Sequence, residues 1–342
     1  MTLKPFVDQA LRPADCWRGV ILFGRNVATY KFALGRSLLE LRPAAGQLVT
    51  LEQLAVPFSE HLREHLRHTP KQGTSSKSVF LDACRRANVG EISQDELWHT
   101  TVKLGFKDVL DAFHVVGSNE IPLRFFEDER KGPQKGIRIT KAFADLVTGH
   151  HGENLPIEVE ARWRLVETAW ELGVSPALLA VRRNADDETL FVVDQANRRR
   201  SITGARDALS GYQKGHCFYC FGTLTLQGEG APDVDHFFPH CLKSAGFGER
   251  VDGIWNLVLA CRNCNRGVDG KFHRVPTVDL LERLSSRNEY LINSNHPLRE
   301  TIIAQSGDST ERRRSFLSAM HLEARRILVH DWEPKLRGEA LF

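Results

Sequence analysis

Apolar residues recur at helical spacing over residues 17–41 and again over 97–113, so the first 150 residues are predicted to be mainly helical. Two polar, glycine-containing, basic stretches interrupt this region, at 68–78 (HTPKQGTSSKS) and 130–138 (RKGPQKGIR). Both read as exposed loops, either solvated or able to touch phosphates. After the polar break HHGEN at 150–154, Val159, Trp163, Val166 and Trp170 follow one another at spacings of 4, 3 and 4, which marks the buried face of one helix. Gly173 and Pro176 punctuate its end. The β-branched and aromatic run 189–193 predicts a strand, and the basic cluster Arg198, Arg199 and Arg200 lies just beyond it. Residues 233–237 alternate polar and apolar, 255–260 are a second apolar run, and a helix is predicted to begin at Cys261. The two strands can pair as a hairpin closed by the long loop 239–253. Near the end, Leu317, Met320, Leu322 and Ile327 fall at roughly helical spacing among Arg312, Arg313, Arg314, Arg325 and Arg326, the pattern of a basic amphipathic helix.

A length of 342 residues favours two domains over one. The pattern suggests three regions, a mainly helical one at 1–200, a cysteine-rich unit at 201–280 that carries the candidate chemistry, and a helical segment at 281–342; beside such a unit the first would select a target or regulate. With 42% hydrophobic and 26% charged residues, the chain is not disordered, collagenous or coiled-coil. No apolar run of about 18 residues occurs and the start MTLKPFVDQA lacks an apolar signal core, so a cytoplasmic protein with no membrane partner is expected. The net charge of +3 is too small to announce a nucleic-acid partner, which leaves local clustering as the indicator.

Seven cysteines, an odd number, argue against a disulfide framework. Cys16 and Cys84 stand alone and read as buried thiols. The other five crowd into residues 217–264. Cys217 and Cys220 form one C-x-x-C pair, Cys261 and Cys264 a second, and four thiolates in two such knuckles suit a tetrahedral structural zinc. A redox pair would leave the other pair unused. Cys241 is then surplus to the tetrahedron and is expected to be buried. Between and beside the knuckles stand Asp235-His236, Asn256 and Asn265. An acidic residue next to a histidine offers an oxygen ligand for a hard cation together with a general base, the two parts that activate water against a phosphodiester. A zinc already closed by four cysteines cannot do that work.

This order of residues resembles the HNH endonuclease family. DHFFP at 235–239 matches its first element, NLVL at 256–259 its second and CNRG at 264–267 its third, with Asn265 where the family name has a final histidine. The resemblance covers 215–276. It implies an α+β fold in which zinc staples a ββα-metal unit between the helical N-terminal region and a C-terminal helix. It further implies that Asp235 and Asn265 hold Mg²⁺ or Mn²⁺, that His236 takes a proton from the attacking water, and that Asn256 orients this histidine or its backbone. Arg266 and Lys271 become phosphate clamps, and Arg198, Arg199 and Arg200 would lead the phosphate backbone towards the site. His273 is eight residues beyond Asn265 and reads as a phosphate contact or plain surface; His216 and His240 read as structural or surface residues. The expected partner is double-stranded DNA, and by analogy with bacterial proteins of this layout the role is restriction or anti-phage defence, with partner proteins of such a system. A repair or mobile-element nuclease is an alternative within the family. Outside it stand a non-catalytic zinc-ribbon module that binds nucleic acid and a degenerate nuclease turned scaffold. No dimer signature is visible, so the oligomeric state stays open.

Overall fold

The computed structural model describes residues 12–338 except 25, 76, 150–151, 172–181, 184–188, 194–198, 229, 294–297 and 336. The chain mixes helices with small sheets in two compact units, Met1–Trp163 and Arg164–Phe342. The division falls at 163/164 rather than at 200, and residues 281–342 belong to the same unit as 201–280.

The first unit runs α1 (Pro13–Phe23), α2 (Tyr30–Leu41), β1 (Leu48–Thr50), α3 (Leu51–His68), α4 (Val79–Asn88), α5 (Gln94–Thr100), α6 (Val109–Ala112), β2 (Val115–Val116), β3 (Asn119–Glu120), β4 (Phe126–Asp128), β5 (Gly136–Ile139), α7 (Lys141–Thr148) and the start of α8 (Leu155–Glu171). The helical stretches of the pattern are therefore split. Residues 17–41 break between α1 and α2, and 97–113 break at a π-turn over Thr101–Gly105. Side-chain caps fix the starts. Thr50 and Gln53 form a reciprocal capping box at α3, and Ser78 accepts the Leu81 N–H at α4. Trp17 gathers Phe113, Phe125 and Phe143 around it at ring-centroid distances of 5.7, 5.2 and 5.9 Å. Val159, Trp163, Val166 and Trp170 are all buried, as their spacing predicts. Cys16 and Cys84 are buried too, and burial pushes their thiols up to about 11 and about 12, so both are inert.

Both basic stretches are anchored to the unit. Gln72 is buried and its Oε1 accepts from Thr29 Oγ1 at 2.7 Å and Trp163 Nε1 at 3.0 Å, so the 68–78 segment is tied to the core. Arg130 pairs with Asp128 and Asp111, Arg138 pairs with Glu129, and 136–139 is strand β5 rather than loop. These arginines are neutralised in place, which removes the reason to assign them to phosphates.

His114 gives this unit a pH dependence. It is buried, its Nε2 accepts the Phe125 N–H at 2.9 Å, and desolvation, aided by Arg124, pulls its pKa from 6.5 down to about 3. Below pH 6.5 the unfolded chain takes up a proton that the folded chain refuses. This stabilisation is complete above about pH 6.5 and is lost as pH falls, with a slope approaching ~1.4 kcal/mol per pH unit. Chemical denaturation between pH 7 and 5 should show that slope in the wild type and a shallower one in His114→Gln.

The second unit holds β6 (Arg182–Arg183), β7 (Thr189–Val193), β8 (Arg199–Gly204), α9 (Ala205–Ser210), β9 (Asp233–His236), β10 (Leu257–Ala260), α10 (Arg262–Arg266), β11 (Val275–Pro276), α11 (Val278–Asn293), α12 (Leu298–Ser306), α13 (Thr310–Ile327) and β12 (Asp331–Trp332). β6, β7 and β8 form an antiparallel sheet, β9 and β10 a hairpin, and β11 and β12 a parallel pair. β7 is the strand expected over 189–193, and Arg199 and Arg200 lie on β8. Arg198 lies outside the described residues.

The helices after the hairpin are part of its support. Arg287 on α11 has no exposed surface and donates to the Trp255 and Leu257 carbonyls at 3.2 and 2.6 Å, while Asn288 donates to Trp255 O at 3.1 Å. Arg283 lies over the Phe221 ring at 3.8 Å and donates to the Phe218 and Tyr219 carbonyls at 2.6 and 2.8 Å. On α13 the buried stripe is Leu317, Met320, His321 and Ala324, whereas Leu322 and Ile327 are exposed. Arg313 is buried against Glu289, with Nε–Oε1 2.7 Å, so it is not offered to DNA. Among the described residues no helix is long and apolar enough to cross a membrane.

Candidate active site

The two knuckles converge. Cys217 and Cys220 lie on a tight turn that closes when Cys217 N–H donates to Gly222 O at 2.8 Å, and Phe218 N–H ties the turn to Leu259 O on β10 at 2.9 Å. Cys261 caps α10 and Cys264 lies within it. The four sulfurs lie within 4.8 Å of one another, and among the described residues no other set of three or more His, Cys, Asp or Glu side chains converges this way. Cys220 and Cys261 are 3.8 Å apart, far beyond a disulfide bond and equal to the edge of about 3.8 Å in a tetrahedron of Zn–S bonds near 2.3 Å. Backbone N–H groups of Cys261 and Gly222 point at the sulfurs of Cys217 and Cys220, both at 3.4 Å. The four thiols share their protons through mutual hydrogen bonds, which lower Cys220 and Cys261 and raise Cys217 and Cys264. Such a donor set fits a structural zinc. Cys241 is exposed rather than buried.

The hairpin behind the knuckles pairs His236 with Leu257, Asp235 with Val258 and Asp233 with Ala260. Strand alternation turns Asp233 and Asp235 to one face and His236 to the other. Helix α10 meets the first face. Asn265 Nδ2 donates to Asp233 Oδ2 at 3.0 Å, and Arg266 donates to Asp233 Oδ1 at 2.9 Å. Asn265 thus reaches β9 as the resemblance implies, but through Asp233, a residue the motif does not name.

Asp235 lies deeper. Its Oδ2 accepts from Tyr219 Oη at 2.6 Å and is 3.3 Å from Lys271 Nζ. Burial raises its carboxyl above the ordinary carboxylate range, opposed chiefly by the Lys271 charge. Lys271 has no exposed side-chain surface, so its assignment as a phosphate clamp is wrong for this conformation: the ammonium points inward to the carboxylate, not outward to substrate. Arg266 is 57% exposed at its side chain and stays on the surface, paired with Asp233.

His236 closes β9 on the opposite face with 12% of its side chain exposed. Its Nε2 is 3.3 Å from Asp252 Oδ1, which is also 3.6 Å from His240 Nε2, while Lys243 Nζ holds the other Asp252 oxygen at 2.7 Å. Burial alone would raise Asp252, but Lys243 and the two histidines keep it below its usual value. His240 is therefore part of the histidine's charged surroundings. Nothing in the spacing pointed to Asp252, which sits in the long loop between the strands.

Asn256 has no exposed surface and fastens that loop. Its Oδ1 accepts Phe238 N–H at 2.8 Å, and its Nδ2 donates to Phe238 O at 3.0 Å and Val251 O at 2.8 Å. One amide thus fixes the backbone two residues after His236 and next to Asp252. Asn256→Ala is expected to destabilise the unit by about 2–4 kcal/mol, since buried partners lose their only side-chain mate, and denaturant unfolding followed by tryptophan fluorescence reads it.

No protein-family model, curated protein or solved structure matches this chain.

Proposed function

We propose that this protein is an HNH-type endonuclease that hydrolyses DNA phosphodiester bonds with a divalent cation, in restriction or anti-phage defence. The observation that carries this reading is one hairpin that holds the motif's parts: Asp235 and, through Asp233, Asn265 of the cysteine-pinned helix on one face, and His236 with Asp252 at the strand end on the other, with Asn256 clamping the loop that follows. The cysteine tetrahedron holds shape only, because its four ligands leave no position for substrate.

In this reading Asp235 and Asn265 would supply the oxygen donors to Mg²⁺ or Mn²⁺, Asp235 in exchange for its present partners Tyr219 and Lys271 and Asn265 from its position against Asp233. When bound, such an ion neutralises the charge that grows on the scissile phosphate. The rest falls to the chain. His236, as neutral imidazole, accepts a proton from water, and Asp252 at 3.3 Å stabilises the imidazolium that forms. Asn256 keeps the histidine's backbone in place. Arg266, exposed at the edge of α10, supplies a phosphate contact.

A second reading, a zinc-ribbon module that binds nucleic acid without cutting it, is favoured by the internal pairing of Asp235 with Tyr219 and Lys271. Incubating the purified full chain with plasmid DNA and with phage DNA carrying modified bases, each in Mg²⁺ or Mn²⁺, separates the two. Cleavage of either DNA supports the nuclease, and a preference between them supports defence. DNA that is retained in a complex but never cut, with both metals, leaves the zinc-ribbon reading.

A further inference from the structure

Burying an ammonium costs several kcal/mol unless a carboxylate faces it, and here the chain is bent to arrange that meeting. Lys271 N–H donates to Cys264 O at 2.7 Å and Phe272 N–H to Asn265 O at 3.0 Å, so both residues are fastened to helix α10, the element that carries the second cysteine knuckle. Phe272 adopts φ +46°, a left-handed conformation that a bulky residue rarely takes. Gly270 just before them is required by close approach: a Cβ there would lie 2.8 Å from Gly267 N and 2.9 Å from Asn265 O. A strained, doubly anchored turn therefore aims the Lys271 ammonium at Asp235, with 3.3 Å to its Oδ2 and 3.3 Å to Phe272 O. Loose surface lysines are not built this way.

We propose that Lys271 is the resident counter-cation of Asp235 and that a divalent ion enters the site only by displacing it. The inference rests on the nuclease reading, in which Asp235 is a metal ligand. A dication bonded to the carboxylate and a buried ammonium 3.3 Å from its Oδ2 repel each other in a region with little water. Metal binding and burial of Lys271 are thus antagonistic. The site is held closed and charge-balanced until metal arrives. Asp235 is spared the cost of standing as a lone buried anion in the metal-free protein.

Mn²⁺ binding, read by electron paramagnetic resonance on the zinc-loaded full chain, tests this without reference to cleavage. Lys271→Met and Lys271→Gln are each expected to bind Mn²⁺ about tenfold more tightly than wild type, within the usual range of coupling between two competing events. Equal or weaker Mn²⁺ binding by variants that keep their zinc and their circular dichroism overturns the displacement. Absence of any Mn²⁺ site in wild type and variants alike overturns the nuclease reading and this inference together. Should neither variant fold, the wild type answers by itself. Buried in an ion pair, the Lys271 ammonium should give an exchange-protected ¹H–¹⁵N resonance, which Mg²⁺ is expected to shift or abolish in step with its binding. A resonance unmoved at Mg²⁺ saturation overturns the proposal.

Discussion

Replacing His236 with alanine is expected to slow DNA cleavage by at least about 100-fold while DNA affinity and zinc content stay at wild-type levels. The size follows from the role: a positioned general base is worth roughly 10²–10⁴ in rate, and on this hairpin no other histidine takes its position at the strand end. His240 shares Asp252 with His236 but is 58% exposed and lies on the 3-10 turn that follows. Affinity should survive because His236, 12% exposed, has little surface to offer a phosphate, whereas Arg266 is outside. Single-turnover cleavage of a labelled duplex at saturating protein measures the rate separately from binding. A folded, zinc-loaded His236→Ala protein that cuts at the original rate removes His236 from the chemistry.

Zinc removal is the second large effect. Cys217 and Cys264 are buried, and the knuckles join the 217–222 turn to the start of α10 across β10. Structural zinc in small sites contributes an apparent ~10–16 kcal/mol to folding, so most of the order of this region depends on it. We expect one zinc per chain by elemental analysis. Cys264→Ala, or a chelator strong enough to strip the ion, should release the α10 end of the hairpin, with loss of Asn265 from Asp233 and of Lys271 from Asp235. Thermal unfolding of the second unit is the readout, and an unchanged melting temperature in a zinc-free Cys264→Ala protein would mean that the four sulfurs hold nothing. Milder chelation that leaves zinc in place should still stop cleavage, since oxygen ligands bind their ion more weakly than four thiolates bind zinc.

Much of the second unit is legible from residue order. The strands expected over 233–237 and 255–260 are present at 233–236 and 257–260, and with the helix after Cys261 and the meeting of four cysteines they follow from alternation, an apolar run and C-x-x-C spacing. What stays hidden has one physical cause: polar residues that the sequence presents as surface are neutralised by partners, near or far along the chain, that spacing alone does not single out. Lys271 reads as a phosphate clamp because the family resemblance puts it just after the motif's helix, yet it meets Asp235, 36 positions away in residue number. Arg130 and Arg138 read as a basic patch until Asp128, Asp111 and Glu129 are seen beside them. Asp252 is one acidic residue in a long loop, and only the folded loop sets it against His236. Asp233 was within reach, because alternation alone puts it on the face of Asp235. The α13 stripe holds for Leu317 and Met320 but not for Leu322 and Ile327, since four apolar residues at approximate spacing do not fix which of two adjacent faces is turned inward.

The most direct measurement is incubation of the purified, zinc-loaded full chain with supercoiled plasmid and Mg²⁺, followed by analysis of the DNA ends. Nicked or linear product with 5′-phosphate and 3′-hydroxyl ends, absent when His236→Ala protein is used, is the expected result. Plasmid that remains supercoiled with Mg²⁺ and with Mn²⁺, or that is cut equally well by the His236→Ala protein, would contradict a nuclease centred on this histidine.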